Sequence, residues 1–366
     1  MPGNRPAQKF TMKPIHILVD SLADESLTNA QMINAREIVR RLDARRFAVT
    51  MFVCANPDPR IIARPNTQLV QLPRRRQTLR VLRQFLFGRQ DILFYLKASP
   101  AARWYLELRR AIPGSCIVVG SIESQTDWCD ETIIPQAIRL IEATILRSDY
   151  LFSNSAFVQR SLKKNYELKS DVIPTGVDTE FFTPNGEACE HLRPRVLFVG
   201  ALRTFKQPQV VLDAAQRFPQ ADFVIVGDGV MAEALRQRAR FLSNVTLRGS
   251  LSRTAIREEY RNADIFLFPS RWEGSPRVLM EAAASGLPVI ARRDYEPETV
   301  IDGVTGFLGT TDEELMGGLA QLLANPELRR RFGHCGRSHV GRYSWDAIAR
   351  QWESVFVRLV ERAGKL

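Results

Sequence analysis

Residues 263–291 read ADIFLFPSRWEGSPRVLMEAAASGLPVIA. The stretch opens with an apolar run of strand length, passes through a short polar loop, enters a run of helical composition and closes on a second apolar run, PVIA. Strand, loop, helix, strand is the unit from which parallel α/β sheets are built. Ser275 suits an N-cap, Pro276 suits the first helical position, where no N–H is needed, and Gly286 is a natural stop after MEAAAS. Glu273 then lies in the turn before the helix and Glu281 in its second turn. The first amides of a helix lack internal partners, so those near Arg277 and Val278 form an anion-seeking end that suits a phosphate. Ligands of such sheets bind at the carboxyl ends of the strands. The plainer alternative is that both glutamates are solvated.

The same alternation runs outward from this stretch. Downstream of residue 195 the order is RVLFVG, helix PQVVLDAAQRF, strand DFVIVGDG, helix MAEALRQRARF, strand NVTLRG and helix RTAIREEYRN. Upstream, PIHILVD, FAVTMFVC, SCIVVGS and DYLFSNS read as strands, with helical stretches NAQMINAREIVRRLDA and IPQAIRLIEATILR among them. The turn-rich stretch PTGVDTEFFTPNGEACEHLRP separates the halves. The expectation is two Rossmann-like doubly wound parallel-sheet domains, 1–187 and 188–343, facing across a cleft. Residues 344–366 should form a final helix that crosses back to the first, since Trp345, Ile348, Trp352, Val355, Phe356 and Leu359 make one apolar stripe.

A chain of 366 residues, 45% apolar, is long enough for two cores. Five cysteines without CxxC pairs or metal spacing read as reduced, cytosolic thiols. The first residues, MPGNRPAQKFTMKP, contain no apolar stretch of signal-peptide type, and nothing approaches ~18 uninterrupted apolar residues, so neither secretion nor a membrane span is expected. The formal charge is +11, and residues 71–110 hold ten Arg or Lys against Asp91 and Glu107. There PRRRQTLRVLRQFLFGRQDILFYL interleaves arginine with Leu, Val and Phe, as in a basic amphipathic helix on an anionic membrane surface. An ordinary domain helix with an arginine-rich outer face is the alternative. Nucleic acid is not an expected partner, because no zinc-finger spacing or RNA-binding aromatic motif accompanies the charge. The expected location is cytoplasmic, with peripheral attachment to the inner membrane face.

PTGVDTEFFTP (174–184), VGALRTFKQP (199–208), VGDG (226–229), FPSRWEGSPRVLMEAAASGLPVIA (268–291) and DGVTGFL (302–308) stand in this order. With these five motifs in register the chain resembles the retaining glycosyltransferase family four, of GT-B fold, over residues 150–345, and only generally before that. The resemblance implies a nucleoside-diphosphate sugar as donor and a cell-envelope glycan or lipid-linked acceptor. It implies catalytic parts for Glu273, Arg203 and Lys206: the two cations neutralise the leaving diphosphate, and Glu273 faces the transferred sugar. Glu281 would bind both ribose hydroxyls. Gly274, Ser275, Arg277 and Val278 would line the phosphates, with Gly227 and Asp228 nearby, although a Gly-Asp-Gly turn is first of all a tight connection. No D-x-D occurs, no histidine is assigned a catalytic part, and neither metal nor cofactor is implied.

Two stretches depart from the family. Where relatives carry Gly-Gly after the first strand, Asn29 and Ala30 stand here; where they carry a loop histidine, the sequence reads GSIESQTDW, with Glu123. These three residues are candidates for acceptor contact or donor closure. Rival functions are a sugar-nucleotide epimerase or phosphorylase on the same fold, or a non-catalytic basic surface-binding module.

Overall fold

In the computed structural model, residues 13–25, 30–112, 114–126, 135–184 and 191–365 are described. Thirteen strands form two sheets among them. The first holds β1 (Ile15–Leu22), β2 (Phe47–Val53), β3 (Thr67–Gln71), β4 (Ile92–Phe94), β5 (Ile117–Ile122), β6 (Tyr150–Ser153) and β7 (Asp171–Val172), in the order 3-2-1-4-5-6-7. The second holds β8 (Arg195–Val199), β9 (Asp222–Val226), β10 (Val245–Gly249), β11 (Ile265–Phe268), β12 (Val289–Arg292) and β13 (Gly306–Gly309), in the order 10-9-8-11-12-13. Strands pair in parallel around β1 and around β8. In each sheet the chain first builds outward on one side and then resumes on the other, so the order reverses beside β1 and beside β8.

The central strands are short apolar runs because both faces are covered: β8 and β11 bury nearly every side chain. Phe198, Phe268 and Phe266 stack in sequence at 5.9 and 6.0 Å through the middle of the second core. In the first core Phe85 packs on Tyr105 at 5.5 Å and on Phe52 at 6.3 Å.

The chain divides into two compact units, Met1–Ser121 with Pro135–Leu151 and Ala349–Leu366, and Ile122–Ile134 with Phe152–Ile348. Helix Trp345–Arg362 contributes to both. Its first turn belongs to the second unit, where Trp345 N–H donates to Val177 O at 3.1 Å and Val177 N–H to Tyr343 O at 2.9 Å. Its later turns belong to the first unit. There Phe356 meets Phe94 at 4.9 Å and Phe47 at 6.1 Å, and Trp352 meets Phe94 at 4.7 Å.

The basic segment folds as helices Gln77–Phe87 and Pro100–Leu108 of the first unit. Val81, Leu82, Phe85 and Leu86 are used inside that unit's own core, so only part of the helix's apolar content remains outside. Leu79 and Phe87 stay 55% and 75% exposed.

Candidate active site

The candidate site is built in the second unit from the loops that follow β8, β9 and β11. Where those loops converge no side chain fits: Gly227 holds φ +140°, and a Cβ there would stand 1.9 Å from the Gly200 carbonyl oxygen. Leu202 N donates to Asp228 O at 2.9 Å, and the Asp228 carboxylate accepts Gly229 N–H at 2.8 Å. Asp228 is therefore occupied in shaping this turn, and its side chain is exposed.

After β8 the backbone runs extended through Arg203 and makes a single 3-10 turn, Thr204–Lys206. Lys206 Nζ lies over the rings of Phe205 and Phe268, at 5.3 and 5.1 Å from their centroids, and bonds directly to Glu273 Oε1. Ser270 Oγ donates to the same carboxylate oxygen at 2.7 Å. The two loops are joined through the Phe205 carbonyl, which accepts Arg271 N–H at 2.9 Å. The Lys206 and Glu273 side chains are 17% and 11% exposed, so this is a partly desolvated charge pair, stronger than one on the open surface.

Helix Arg277–Ala284 begins one residue later than the sequence suggests. Ser275 is not its cap: Pro276, at φ −69° and ψ 115°, is the flanking residue, and no side chain caps the first amides. Leu279 N–H reaches Pro276 O at 3.2 Å. The end that carries Arg277 and Val278 thus has no side-chain oxygen competing for an anion. In the second turn Glu281 accepts Tyr260 Oη–H at 3.2 Å, and that hydroxyl also reaches Val278 O at 3.3 Å. Burial raises the Glu281 carboxyl above its ordinary range, and the charges of Arg277 and Arg253 and the Tyr260 bond oppose the rise. Burial likewise lifts the Tyr295 phenol, with the Glu273 carboxylate adding to the shift.

Gly274 is a second close approach: a Cβ would fall 2.2 Å from the Glu123 carbonyl oxygen. Asn154, at the end of β6, donates to that carbonyl at 2.9 Å. The structure therefore brings Glu123 to Gly274 through its backbone. Ala30 is exposed at the start of helix Ala30–Val39 in the first unit, and Asn29 lies outside the described residues. Ser270, Tyr260, Asn154 and Arg292 escaped the reading of the sequence. Only Ser270, three residues before Glu273, offered a signal in its spacing. Among the described residues no group of three or more His, Cys, Asp or Glu could hold a metal ion, and no helix is long and apolar enough to cross a membrane.

Two parallel α/β arrangements of seven and six strands, with a phosphate-suited helix end after the fourth strand of the second, define a two-domain protein of the GT-B class. Solved structures agree on the fold. Sucrose-phosphate synthase from Thermosynechococcus elongatus superposes with a TM-score of 0.77 at 21% identity, covering 96% of this chain and 100% of that one. Anabaena Alr3699/HepE in complex with UDP superposes with 0.73 at 16% identity, covering 94% and 100%.

Residues 185–339 match the family described as glycosyl transferases group 1. The D-inositol 3-phosphate glycosyltransferase of Segniliparus rotundus is 32% identical over 231 residues, 56% of this chain and 51% of that protein. The GDP-mannose-dependent alpha-(1-6)-phosphatidylinositol monomannoside mannosyltransferase of Mycolicibacterium smegmatis is 28% identical over 332 residues, 82% and 83%. This chain spans about half the length of the first of these relatives. Over residues 185–339 it is similar to the group 1 glycosyl transferases, on a GT-B fold.

Proposed function

We propose that the chain transfers a sugar, with retention of configuration and without a metal ion, from a nucleoside-diphosphate sugar to a cell-envelope glycan or lipid-linked acceptor. The observation that carries this reading is the contact of Lys206 with Glu273 beside a helix end free of side-chain caps. A diphosphate entering there would draw Lys206 and Arg203 to its oxygens and lie against the amides of Arg277 and Val278. Glu273, still held by Ser270, would face the sugar as positive charge grows in its ring. Glu281, fixed by Tyr260, would take the ribose hydroxyls. The acceptor hydroxyl would attack from the side the diphosphate leaves and pass its proton to the departing phosphate. Asn29, Ala30 and Glu123 remain the acceptor-side or closure candidates. The functional division we propose stays at 187/188 and 343/344.

Thermal stabilisation by UDP, GDP and ADP tests the donor site, since a ligand at ~100 times its dissociation constant adds about 2.7 kcal/mol. Release of nucleoside diphosphate from a matching sugar nucleotide, undiminished by EDTA, is expected, and product anomers followed by NMR report retention. Absence of stabilisation by all three nucleotides, with no donor consumed, would overturn the reading. Isomerised donor without transfer would favour an epimerase.

A lipid-linked acceptor also places the enzyme at the inner membrane face. Arg74, Arg75 and Arg76 are exposed, and among the described residues they form no ion pair. Leu79, Phe87, Trp104, Leu108 and Ile112 are exposed in the same stretch. Each basic residue at an anionic surface is worth about 1 kcal/mol, so replacing the three arginines with glutamate should release the protein from phosphatidylserine vesicles at low salt. Wild-type protein that stays in the supernatant would favour a soluble acceptor.

A further inference from the structure

The last residue of β12, Arg292, is fully buried, although an arginine at a strand end ordinarily reads as a solvent-facing charge. Its guanidinium is spent on four partners. Nε donates to Pro269 O at 3.3 Å, Nη1 to Thr310 O at 2.7 Å, and Nη2 to Gln207 Oε1 at 3.2 Å and to the Asp312 carboxylate. Two of these belong to the loops that hold the charge pair. Gln207 follows Lys206 directly and sits in the left-handed region at φ +50°. Pro269 precedes Ser270, which holds Glu273. The other two, Thr310 and Asp312, flank the start of helix Asp312–Ala324 and anchor the guanidinium from behind.

We infer that Arg292 is a positioning residue for the reaction proposed above, fixing the Lys206 loop and the Glu273 loop at one mutual distance through a single rigid, five-donor group. Its partners explain why arginine is needed. One planar fork reaches a side-chain amide, two carbonyls and a carboxylate at once, whereas a lysine ammonium offers three donors from one point and cannot span both loops. Misplacement of a charged group by about 1 Å is enough to cost on the order of 10²-fold in rate. Nothing in this geometry requires Arg292 to touch a ligand.

The inference rests on the transferase reading, and two measurements keep the two apart. In the first, hydrogen–deuterium exchange is followed in Arg292→Lys and in Gln207→Ala, the second variant removing only the arm toward Lys206 from outside any helix. Faster exchange in both 203–207 and 269–273, with the rest of the second unit unchanged, is expected for Arg292→Lys, and in 203–207 alone for Gln207→Ala. Unchanged exchange in these loops in folded Arg292→Lys overturns the inference, whatever the activity.

The second measurement is a kinetic cycle on nucleoside diphosphate release from the donor sugar nucleotide that wild type consumes. Arg292→Lys should lower kcat by on the order of 10-fold or more with KM nearly unchanged, and the same change made in Lys206→Ala should cost much less. An equal cost in both backgrounds would make Arg292 a purely structural arginine. Wild type that consumes no donor, with loop exchange responding as expected, would overturn the transferase reading and leave the clamp standing.

Discussion

The carboxyl ends of β1 and β4 in the first sheet, and of β8 and β11 in the second, occupy equivalent places in the strand order, yet they carry different chemistry. Beyond β8 and β11 a lysine ammonium and a glutamate carboxylate bond to each other between two loops. Near the end of β1 in the first sheet, Asp20 instead accepts a backbone amide from beyond β4, Lys97 N–H at 2.8 Å, just where β1 slips out of register with β2. Asp20 is deeply buried, and burial pushes its carboxyl up to about 6, against the Lys97 charge and amide. One topology therefore supports a charge pair in one unit and a guarded, readily protonated acid in the other. Strand order fixes where a site can be, and loop residues fix what it does.

The largest expected effect concerns the first unit alone. Phe356, fully buried against Phe94, Phe47 and Trp352, is contributed by the final helix. Phe356→Ala should destabilise that unit by about 3–5 kcal/mol through lost burial and an unfilled cavity. Urea unfolding followed by exchange mass spectrometry should show strands β1–β4 opening earlier while β8–β12 hold. Equal loss in both sheets would mean that they unfold as one cooperative body.

Next in size is the second unit's charge pair. Lys206→Ala should lower nucleoside diphosphate release by on the order of 10²-fold, as for removal of one preorganised donor to developing negative charge, and leave β1–β4 untouched. Arg203→Ala should do the same. Glu281→Ala should show itself in donor affinity instead, because its partner does not change charge during transfer.

The smallest effect contrasts the two acids directly. The Asp20 carboxyl holds its proton more tightly in the folded chain, at about 6, than at its ordinary value of 3.8. The stability it contributes is therefore complete below about pH 4 and is lost as the pH rises through about 6. Asp20→Asn should remove that decline, worth on the order of 2 kcal/mol, which urea midpoints from pH 4 to 7 would measure. Identical pH profiles for wild type and variant would show that the carboxyl titrates at its ordinary value.

Much of this was legible in the residues. Apolar runs of four or five residues, alternating with helical stretches, mark β8, β9, β11 and β12 because a parallel sheet covered on both faces must be apolar on both, whereas the edge strand β10, VTLRG, alternates. Glu273 and Glu281 bracket a loop-to-helix passage that local capping chemistry reveals, although the start slipped from Ser275 to Pro276 because proline's fixed φ tolerates an extended ψ just before the helix. Partners contributed from far along the chain left no trace. Tyr260 reaches Glu281 from a neighbouring helix, and nothing in REEYRN distinguishes that hydroxyl from a surface one. Arg292 reads as an exposed charge, since burial of a guanidinium depends on four acceptors that only the folded chain assembles. In the basic segment the residues do not tell which apolar side chains serve the core beneath, as Phe85 and Leu86 do, and which stay exposed, as Leu79 and Phe87 do.

The helix Trp345–Arg362 also bears on the order in which a ribosome can complete this protein. Chains emerge from the N-terminus onward, and domains ordinarily settle in that order. Here the aromatic contacts of Phe94 and Phe47 wait for Trp352 and Phe356, which are synthesised only after all of residues 152–348. The unit encoded first is thus finished second, and during elongation its half-built core stands open while residues 152–348 of the second unit are already made.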